Sequence, residues 1–562
     1  MGEEAAEQQT PAPPSPPPAS SWPKEVRVDV IDGGGASSAS KQPSSSFRLW
    51  RVPKHVRDIN KEAYGPKFAC IGPYHRRRRR RGGGDRDAEE EEEEERRLRV
   101  EKLKERYLDE LLTDVVGPPH VDDHRAKRDE ILLLCTCRLG EMLDSVRRYI
   151  YRFYAEDQEY LRGMTDEEMV RMLLLDGCFI IKHIYNFAIG YDDPELYATR
   201  WSPAQLRIDL GLLENQIPFF VLEEIFYHLT PQTFLGKITR RVAKDDDKTM
   251  RRRKRHKLIV MAMWYMLQDW FQLPTRESDD LYKLIAEEEV HHLLHLVHIA
   301  HLAKVDSAGP KSPPCEWQLC WQWPWHALQL LLCILPLFLV SLPLHMCRCC
   351  AAGGGEKTDP KANIASASQL RGLGVKIRMA KRDRGGILDV RLRKSLEIRL
   401  IPPELEVPAL SVEEATAVLL QNLVAYEQQG TPARQGQDQQ TQGRKGKDYF
   451  TTYAFLMYNL VSSTEDIAEL QEKGVLLNNF GSHETIINYF KNLCRWNQRS
   501  KEDTPIGKVL DQLRVCSQYQ LYRDWAEAKK YMDTPVKILA LVVSTLLAIS
   551  TILQTTTAFY PK

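Results

Sequence analysis

Two carboxylates lie inside apolar stretches of the sequence, where burial of a charge is unfavourable. Asp176 stands in MLLLDGCFII, and Glu214 begins a polar triplet within LLENQIPFFVLEEIF. Loss of water around a carboxyl raises its pKa, as general acid catalysis requires. These two acids are therefore candidates for a two-carboxylate hydrolase.

The same residues have a structural interpretation, which we favour. Each acid can cap a helix or pair with an arginine such as Arg171 or Arg207. Asn215 and Gln216, the rest of the triplet, can satisfy backbone groups that Pro218 frees by interrupting a helix. On this interpretation, substitution of either acid lowers stability and abolishes no turnover.

A histidine-rich stretch, HHLLHLVHIAH, is the best candidate for a metal site. His291 and His295 are four residues apart, and a helix would place them on one face. His298 and His301 continue that face at intervals of three, and such a face can chelate zinc or copper. The acids at 287–289 precede the helix, so we favour a partly exposed amphipathic helix and predict neither a metal nor a cofactor.

Short motifs for the commonest enzyme classes are absent from the sequence. GxxxxGK[ST], GxSxG and HExxH do not occur, and neither do the paired C-x-x-C units of a structural zinc site. The 12 cysteines do not form the dense framework of a small secreted module, so we expect a reducing compartment. We therefore predict a protein without catalytic activity.

Charge does not point to a nucleic-acid partner. The 78 Lys and Arg residues nearly balance the 77 Asp and Glu residues, for a net charge of +1. An arginine run at 76–81 precedes an acidic run at 89–95, and we interpret 76–97 as a solvated low-complexity loop. We interpret the basic stretch 251–257 as a second solvated loop, with contact to anionic lipid headgroups as the alternative.

The elements that must position these residues are mostly helices. Thr165 and Glu168 form a capping-box signature at the start of one of them. Alternating apolar positions in 373–407 predict two or three short strands. We predict an α+β fold that is predominantly α-helical, with a short β-meander in the C-terminal half and one C-terminal transmembrane helix.

Composition divides the chain into five segments. Residues 1–46 are a Pro/Ser-rich tail that we expect to be disordered. The others are a helical N-terminal part of a domain (47–310), a variable apolar, cysteine-rich insert (311–357), the C-terminal part of that domain (358–532) and a membrane anchor (533–562).

The anchor is the strongest physical signal in the sequence. From Ile538 to Ala558 no residue is charged, a length that suits a bilayer core of roughly 30 Å. Lysines are more numerous before the segment than after it, so the positive-inside rule places the bulk of the chain in the cytosol. The alternative is a buried C-terminal helix. The predicted membrane-spanning positions are Ile538, Leu541, Val542, Leu546, Ile549, Ile552 and Ala558.

A second apolar stretch, 323–350, leaves several interpretations open. Pro336 and Pro343 would interrupt a helix there. The segment 324–346 can enter the bilayer, and the cysteines that follow it would then be palmitoylation candidates. Alternatively, it is a variable insertion or the product of a faulty gene model.

Several segments, in order along the chain, resemble one plant family, the domain of unknown function 247 or UPF0481 proteins. The resemblance rests on RVPKHVRDINKEAYGPKFACIGPYH, MLLLDGCFII, DLGLLENQIPFFVLEEIF, ILDVRLRKSLEIRLIPPELEV and TPVKILALVVSTLLAISTILQT. The residues that match the family motifs are Pro53, Tyr64, Pro66, Ile71, Gly72, Pro73, Tyr74, Asp176, Gly177, Glu214, Asn215, Gln216 and Pro218.

The resemblance implies a plant protein with a C-terminal membrane span and no assigned biochemical activity. Some grass members are similar to pollen-side determinants of self-incompatibility, which implies protein–protein recognition. We therefore predict a membrane-anchored interaction protein with an unidentified protein partner, lipid contact through its C-terminal helix and no nucleic-acid partner. Self-association remains an open alternative for the partner, and a hydrolase that uses Asp176 and Glu214 remains the alternative function.

Overall fold

The structure is a computed structural model. It describes residues 49–76, 88–116, 163–230, 247–267, 288–307, 364–380, 386–393, 403–429, 448–499 and 504–518, with scattered positions at 127–154, 285 and 539–555. The chain divides into two compact units, residues 1–300 with 431–435 and residues 301–430 with 436–562. The predictions for 1–46 and 311–357 lie outside the described residues, and the predicted segment boundaries remain predictions.

The regular secondary structure that is described in the first unit is helical, apart from a bridge between Leu49 and Tyr154. Its helices are α1 (Lys54–Arg57), α2 (Ala88–Val116), α3 (Asp166–Ile189), α4 (Trp201–Leu210), α5 (Phe219–Leu229), α6 (Asp247–Leu267) and α7 (Leu293–Ser307), which begins in this unit.

Helix α3 lies at the centre of the first unit and packs against α2, α5 and α6. The predicted capping box is confirmed: the Glu168 amide donates to Thr165 Oγ1 (3.2 Å), and the Thr165 amide donates to Glu168 Oε2 (2.8 Å). Gly177 permits close packing of α5, because a Cβ there would lie 2.4 Å from Ile225 Cδ1. A larger residue at this position would force the end of the Ile225 side chain to shift.

One helix within the described ranges, Glu167–Ile189, is long and apolar enough to cross a membrane by length and composition. However, 83% of its apolar window is buried inside the protein, as expected of a core helix. The C-terminal transmembrane helix gains no support from this finding. Its predicted positions Ile538, Leu541, Val542, Ile552 and Ala558 lie outside the described residues.

The acidic run at 89–95 is helical, contrary to the loop that we predicted over 76–97. Helix α2 begins at Ala88. Arg96 and Glu92 lie 3.6 Å apart across one turn of it, and such pairs of opposite charge stabilise a helix. The acidic run therefore forms the start of a helix and not a loop.

The second predicted loop, 251–257, also lies within a helix. It belongs to α6, where its charged side chains pair with α5: Arg251 with Glu224 (2.8 Å) and Arg255 with Glu223 (2.7 Å). The basic residues that suggested a solvated loop instead join two helices.

The second unit combines helices with five short strands in its described ranges. Its helices are α8 (Ala367–Gly372), α9 (Glu414–Gln428), α10 (Tyr449–Leu460), α11 (Thr464–Glu472), α12 (His483–Cys494) and α13 (Pro505–Gln518). Its strands are β1 (Lys376–Met379), β2 (Arg391–Arg393), β3 (Glu404–Val407), β4 (Leu410–Val412) and β5 (Leu476–Asn478).

The predicted β-meander is wrong, although the strands exist. A meander pairs consecutive strands in antiparallel fashion, whereas the sheet order here is β1-β3-β2. Strand β1 is parallel to β3, with Ile377 beside Leu405, and β4 pairs in parallel with β5. Alternation of apolar residues predicts strands and their buried face, but it carries no information about which strands become neighbours.

Candidate functional site

The predicted site residues of the first unit surround one stretch of chain, residues 67–76, which we call the cradled loop. Asp176 reaches it from α3, and Asp209 reaches it from α4. Asn215 comes from the segment 211–218, which joins α4 to α5. Three separate parts of the sequence therefore hold the same loop.

The joining segment 211–218 is non-helical, which leaves its polar side chains free to turn toward backbone groups. Gln216 Nε2 donates to the carbonyls of Leu210 (2.8 Å) and Leu212 (2.7 Å) at the end of α4. Its Oε1 accepts from the Leu294 amide (3.2 Å) at the start of α7. Gln216 thus satisfies backbone groups at two helix ends, as the structural interpretation expects.

Asn215 uses its amide in the same way on the cradled loop. Its Oδ1 accepts from the Ile71 amide (2.7 Å), and its Nδ2 donates to the carbonyls of Ala69 and Asp209 (both 2.9 Å). A buried amide with all of these contacts costs little free energy to desolvate.

Asp209 is a member of the site that the sequence analysis missed. Its carboxylate accepts from the amides of Lys67 (3.1 Å), Phe68 (2.6 Å) and Ala69 (2.8 Å), and from Gln205 Nε2 (2.9 Å). Burial raises the pKa of Asp209 to about 6 and outweighs these hydrogen bonds, which lower it. The available signal was an acid between apolar residues in RIDLGLL.

Asp176 binds the other end of the cradled loop and is fully buried. Its Oδ2 accepts from the Gly72 amide (2.8 Å), and its Oδ1 accepts from Lys104 Nζ and Arg76 Nη2 (both 2.8 Å). Burial on its own would raise the pKa of Asp176, but Lys104 and Arg76 hold it below its ordinary value. The acid is therefore an ion-pair partner and not a proton donor at neutral pH.

Lys104 is the second residue that the sequence analysis missed. Its side chain is fully buried, and Nζ donates to the Cys70 carbonyl (2.7 Å), Glu101 Oε1 (2.7 Å) and Asp176. Its three donors thus have three acceptors. A signal existed, because Lys104 falls on the apolar stripe that Leu103 and Tyr107 form along α2.

Glu214 holds the chain that precedes the cradled loop. Its Oε1 accepts from the Val52 amide (2.8 Å) and forms an ion pair with Arg57, and its Oε2 lies 3.6 Å from His75 Nε2. Burial raises the pKa of Glu214 despite the lowering effect of Arg57. Burial, with Arg51 and Arg57 nearby, lowers the pKa of His75 to about 4.

Gly72 is the point where the cradled loop passes closest to the joining segment. Its φ of +70° is unfavourable for other residues, and a Cβ would lie 2.7 Å from the Gln216 carbonyl oxygen. Tyr154 Oη would lie 3.0 Å from the same Cβ and donates to that carbonyl at 2.9 Å. Only glycine fits here.

The remaining family-motif residues flank these contacts. Tyr74 Oη donates to the Leu49 carbonyl (2.7 Å), and the Tyr74 ring packs edge-on against Tyr154 at 5.2 Å. Pro53 and Pro218 directly precede α1 and α5. Tyr64, Ile71, Pro73 and Pro218 are buried, and Pro66 is half-buried.

The two candidate catalytic acids are bound by different parts of the chain. The side chains of Asp176 and Glu214 are both fully buried, and each accepts from a backbone amide and a cation. The predicted arginines are not their partners. Arg171 pairs with Glu105 (3.1 Å), and the Arg207 guanidinium lies 5.0 Å from the centre of the Tyr265 ring. These contacts favour the structural interpretation over the hydrolase.

The histidine-rich stretch is buried, so the prediction of a partly exposed amphipathic helix is wrong. His291 and His292 precede α7, and the His295 amide donates to His292 Nδ1 (3.2 Å). His298 and His301 are also buried, and burial lowers the pKa of His292 well below its ordinary value. No group of three or more metal-ligating side chains occurs in the ranges that the structure describes.

Comparison with known proteins identifies relatives along most of the chain. A sequence model of the DUF247 family, described as "Plant protein of unknown function", matches residues 49–550. The chain is 23% identical to a UPF0481 protein of Arabidopsis thaliana over 472 residues, which cover 82% of this chain and 76% of the relative. No solved structure matches.

Proposed function

Because the chain belongs to the DUF247 family of plant proteins of unknown function, we propose that it is a membrane-anchored protein that recognises another protein. The anchor is the segment 533–562, and the recognition surface lies on the folded part that precedes it. The bulk of the chain then lies on the cytosolic side, as the distribution of lysines around the segment favours.

The observation that carries the proposal is the exposure of the C-terminal segment. Its described positions between 539 and 555 are helical. Leu539, Val543, Leu546 and Leu547 expose between 48% and 65% of their surface. Ile549 is half-buried, and no charged residue occurs between 538 and 558. An uncharged helix that exposes leucine and valine side chains is unfavourable in water and favourable in lipid.

The hydrogen bonds of the buried acids support a role in recognition. Asp176, Asp209 and Glu214 direct their carboxylates at backbone amides of the same chain. Such contacts fix the shape of a scaffold, and a fixed shape is what protein recognition requires. The similarity of some grass members of the family to self-incompatibility determinants favours the same role.

Alkaline carbonate extraction of membranes tests the anchor. We expect the native chain to stay in the membrane pellet and a Leu546→Lys/Leu547→Lys variant to move to the supernatant, because each lysine costs about 2.5–3.5 kcal/mol at the centre of a span. Leu477→Lys, at a leucine that is 48% exposed in the second unit, is the matched control and should stay in the pellet. Native chain in the supernatant would refute the anchor.

Proximity labelling in plant cells tests recognition. A labelling enzyme fused to the full chain is compared with the same enzyme fused to residues 533–562 alone. Both fusions sample one membrane, so proteins enriched only by the full chain are bound by the folded part. Identical sets of labelled proteins would contradict the proposal.

A further inference from the structure

The described chain of the first unit begins with residues 49–57, which we call the strap. Tyr74 and Glu214 bind its backbone. Tyr74 Oη donates to the Leu49 carbonyl (2.7 Å), and Glu214 Oε1 accepts from a backbone amide of the strap (2.8 Å). Both attachments lie next to a half-buried histidine, because His75 follows Tyr74 in the chain and faces Glu214.

Two arginines of the strap bind at the same place. Arg51 Nη2 donates to the carbonyl of the peptide bond that precedes His75 (2.6 Å). The Arg57 guanidinium forms an ion pair with Glu214 Oε1. Two guanidinium groups of the strap therefore lie beside His75, and Arg97 of α2 adds a third positive charge.

His75 and Glu214 face each other across a gap that is too wide for a hydrogen bond. His75 Nε2 lies 3.6 Å from Glu214 Oε2, and neither buried atom has a hydrogen-bond partner in the ranges that the structure describes. A charged imidazolium would donate to the carboxylate at about 2.7–2.9 Å. The separation is therefore that of an uncharged ring.

The surroundings of His75 explain why the ring is neutral. Arg51, Arg57 and Arg97 bring three positive charges, whereas Glu214 brings one negative charge that Arg57 already binds. Burial and the three cations lower the pKa of His75 to about 4. Protonation with the strap closed would therefore add a fourth positive charge beside a single carboxylate.

We propose that His75 makes the strap an acid-sensitive latch, which is closed while the ring is neutral and opens when the ring takes up a proton. Opening hydrates the imidazolium and separates it from Arg51 and Arg57, which the strap carries away. Because the closed strap disfavours the proton, acid favours the open strap by linkage. The latch goes beyond the proposed function, since it needs neither the anchor nor a partner.

Glu214 acts in the opposite direction and limits the effect. Burial raises the pKa of Glu214 above its ordinary 4.5, so protonation of this carboxyl favours the closed strap. That contribution is complete only below pH 4.5 and is lost as pH rises through the raised pKa. The pKa of His75 is lowered, so closure weakens as pH falls from 6.5 toward about 4. The effect of His75 therefore predominates when the pH first falls below neutral.

Hydrogen exchange of the Leu49 amide, which donates to the Phe153 carbonyl (2.5 Å), reports opening of the strap. The full chain in detergent micelles is compared at pH 7.5 and pH 5.5, with rates corrected for intrinsic exchange. The opening constant should rise about five- to ten-fold at the lower pH, the smaller value allowing for Glu214. The Tyr197 amide, which donates to the Asp193 carbonyl (2.8 Å) elsewhere in the unit, should keep its protection.

Histidine substitutions identify the group that titrates. His75→Gln keeps a polar side chain without a titratable group, so its opening constant should change less than about two-fold between the two pH values. His75→Lys carries a permanent charge and should open the strap at neutral pH at least as far as acid opens the native strap. His55→Gln, at an exposed histidine of the same strap, is the matched control and should keep the native response.

A native response no larger than that of His75→Gln would overturn the latch, as would a closed strap in His75→Lys at neutral pH. Equal loss of protection at the Leu49 and Tyr197 amides would also overturn it, because the whole unit would then unfold. None of these measurements involves a membrane or a partner. They can therefore fail while the proposed anchor and recognition function hold.

Discussion

The two units of the chain each bury a carboxylate at the start or centre of their helices, but they stabilise it differently. Asp176 in the first unit accepts from Lys104 and Arg76, and it is held by charge. Asp466 in the second unit is 1% exposed and accepts from Ser366 Oγ, Ser463 Oγ (2.8 and 2.9 Å) and the amides of Ser368 and Ser463. All partners that the described ranges give Asp466 are neutral.

The positions of the two acids explain the difference. Asp466 lies where two helices begin, because Ser366 precedes α8 and Ser463 precedes α11. Unpaired amides at helix starts provide donors without any need for a cation. Asp176 lies in the middle of α3, where the Gly72 amide is the one backbone donor that the described ranges give it, and two cations complete its environment. For these two acids, the kind of partner follows from the position in a helix.

Removal of Asp176 should have the largest effect. Asp176→Ala removes the fully buried ion-pair partner of Lys104 and leaves it with the half-exposed Glu101, and breaking such a buried pair costs about 3–5 kcal/mol. Hydrogen exchange at the Ile71 amide, which donates to Asn215, measures the loss as a lower free energy of opening of the cradled loop. Glu472→Gln, at an exposed glutamate of the second unit, should change stability by at most about 0.5 kcal/mol. A comparable small effect of Asp176→Ala would show that charge does not hold the loop.

Gly72→Ala should have the second-largest effect on stability. The left-handed backbone costs about 1–2 kcal/mol for alanine, and the contact of its Cβ with the Gln216 carbonyl adds about 1–3 kcal/mol. Gly372→Ala is the control, because nothing lies within 4 Å of a Cβ at that position of the second unit. Urea unfolding in micelles compares the two variants. Equal stability of the Gly72→Ala and Gly372→Ala variants would mean that the cradled loop can move away from Gln216.

Between pH 4 and 6, stability should depend on pH at Asp209 in the first unit and not at Asp466 in the second. Asp209 has a pKa of about 6 when folded and 3.8 as its ordinary value, so the folded state holds the extra proton between these values. Stability of the segment 67–69 therefore falls as pH rises from about 4 to 6, by at most about 3 kcal/mol.

The pKa of Asp466 is lowered, mainly by hydrogen bonds from Ser368 and Ser366 that outweigh burial. Its stabilising contribution is present above the ordinary pKa of 3.8 and is lost only below it. Hydrogen exchange between pH 4 and 6, corrected for intrinsic rates, should thus change at 67–69 and stay constant at the start of α11. Parallel changes would contradict this separation.

Asp466→Ala should have the smallest effect of the four. It removes a cap shared by two helix starts, which costs about 1–3 kcal/mol, and it strands no buried cation. Loss of exchange protection should be confined to the first turns of α8 and α11. A loss as large as that of Asp176→Ala would remove the distinction between the two acids.

The sequence alone identified the polar residues that interrupt apolar runs. Asp176 and the triplet 214–216 are polar positions in apolar runs, and all of them bind backbone groups. Lys104 is likewise a charged residue on the apolar stripe of α2. The sequence analysis missed it because a lysine in a charged helix is usually exposed.

Other features require contacts that a single sequence does not contain. Asp466 shares its carboxylate with Ser366, about a hundred positions earlier in the sequence. The order β1-β3-β2 depends likewise on pairing between distant segments. The helical state of the basic stretch 251–257 depends on acids that α5 supplies.

A double-mutant cycle on Asp176 and Lys104 tests most directly whether the buried acid is a structural ion-pair partner. Asp176→Leu and Lys104→Met, alone and combined, are compared by the exchange of the Ile71 amide, which donates to Asn215 and to neither substituted residue. We predict that the double variant is more stable than the sum of the single losses by about 2–3 kcal/mol, since it strands no buried charge. Additive losses would show that the two residues do not act as a pair and would contradict the structural role assigned to Asp176.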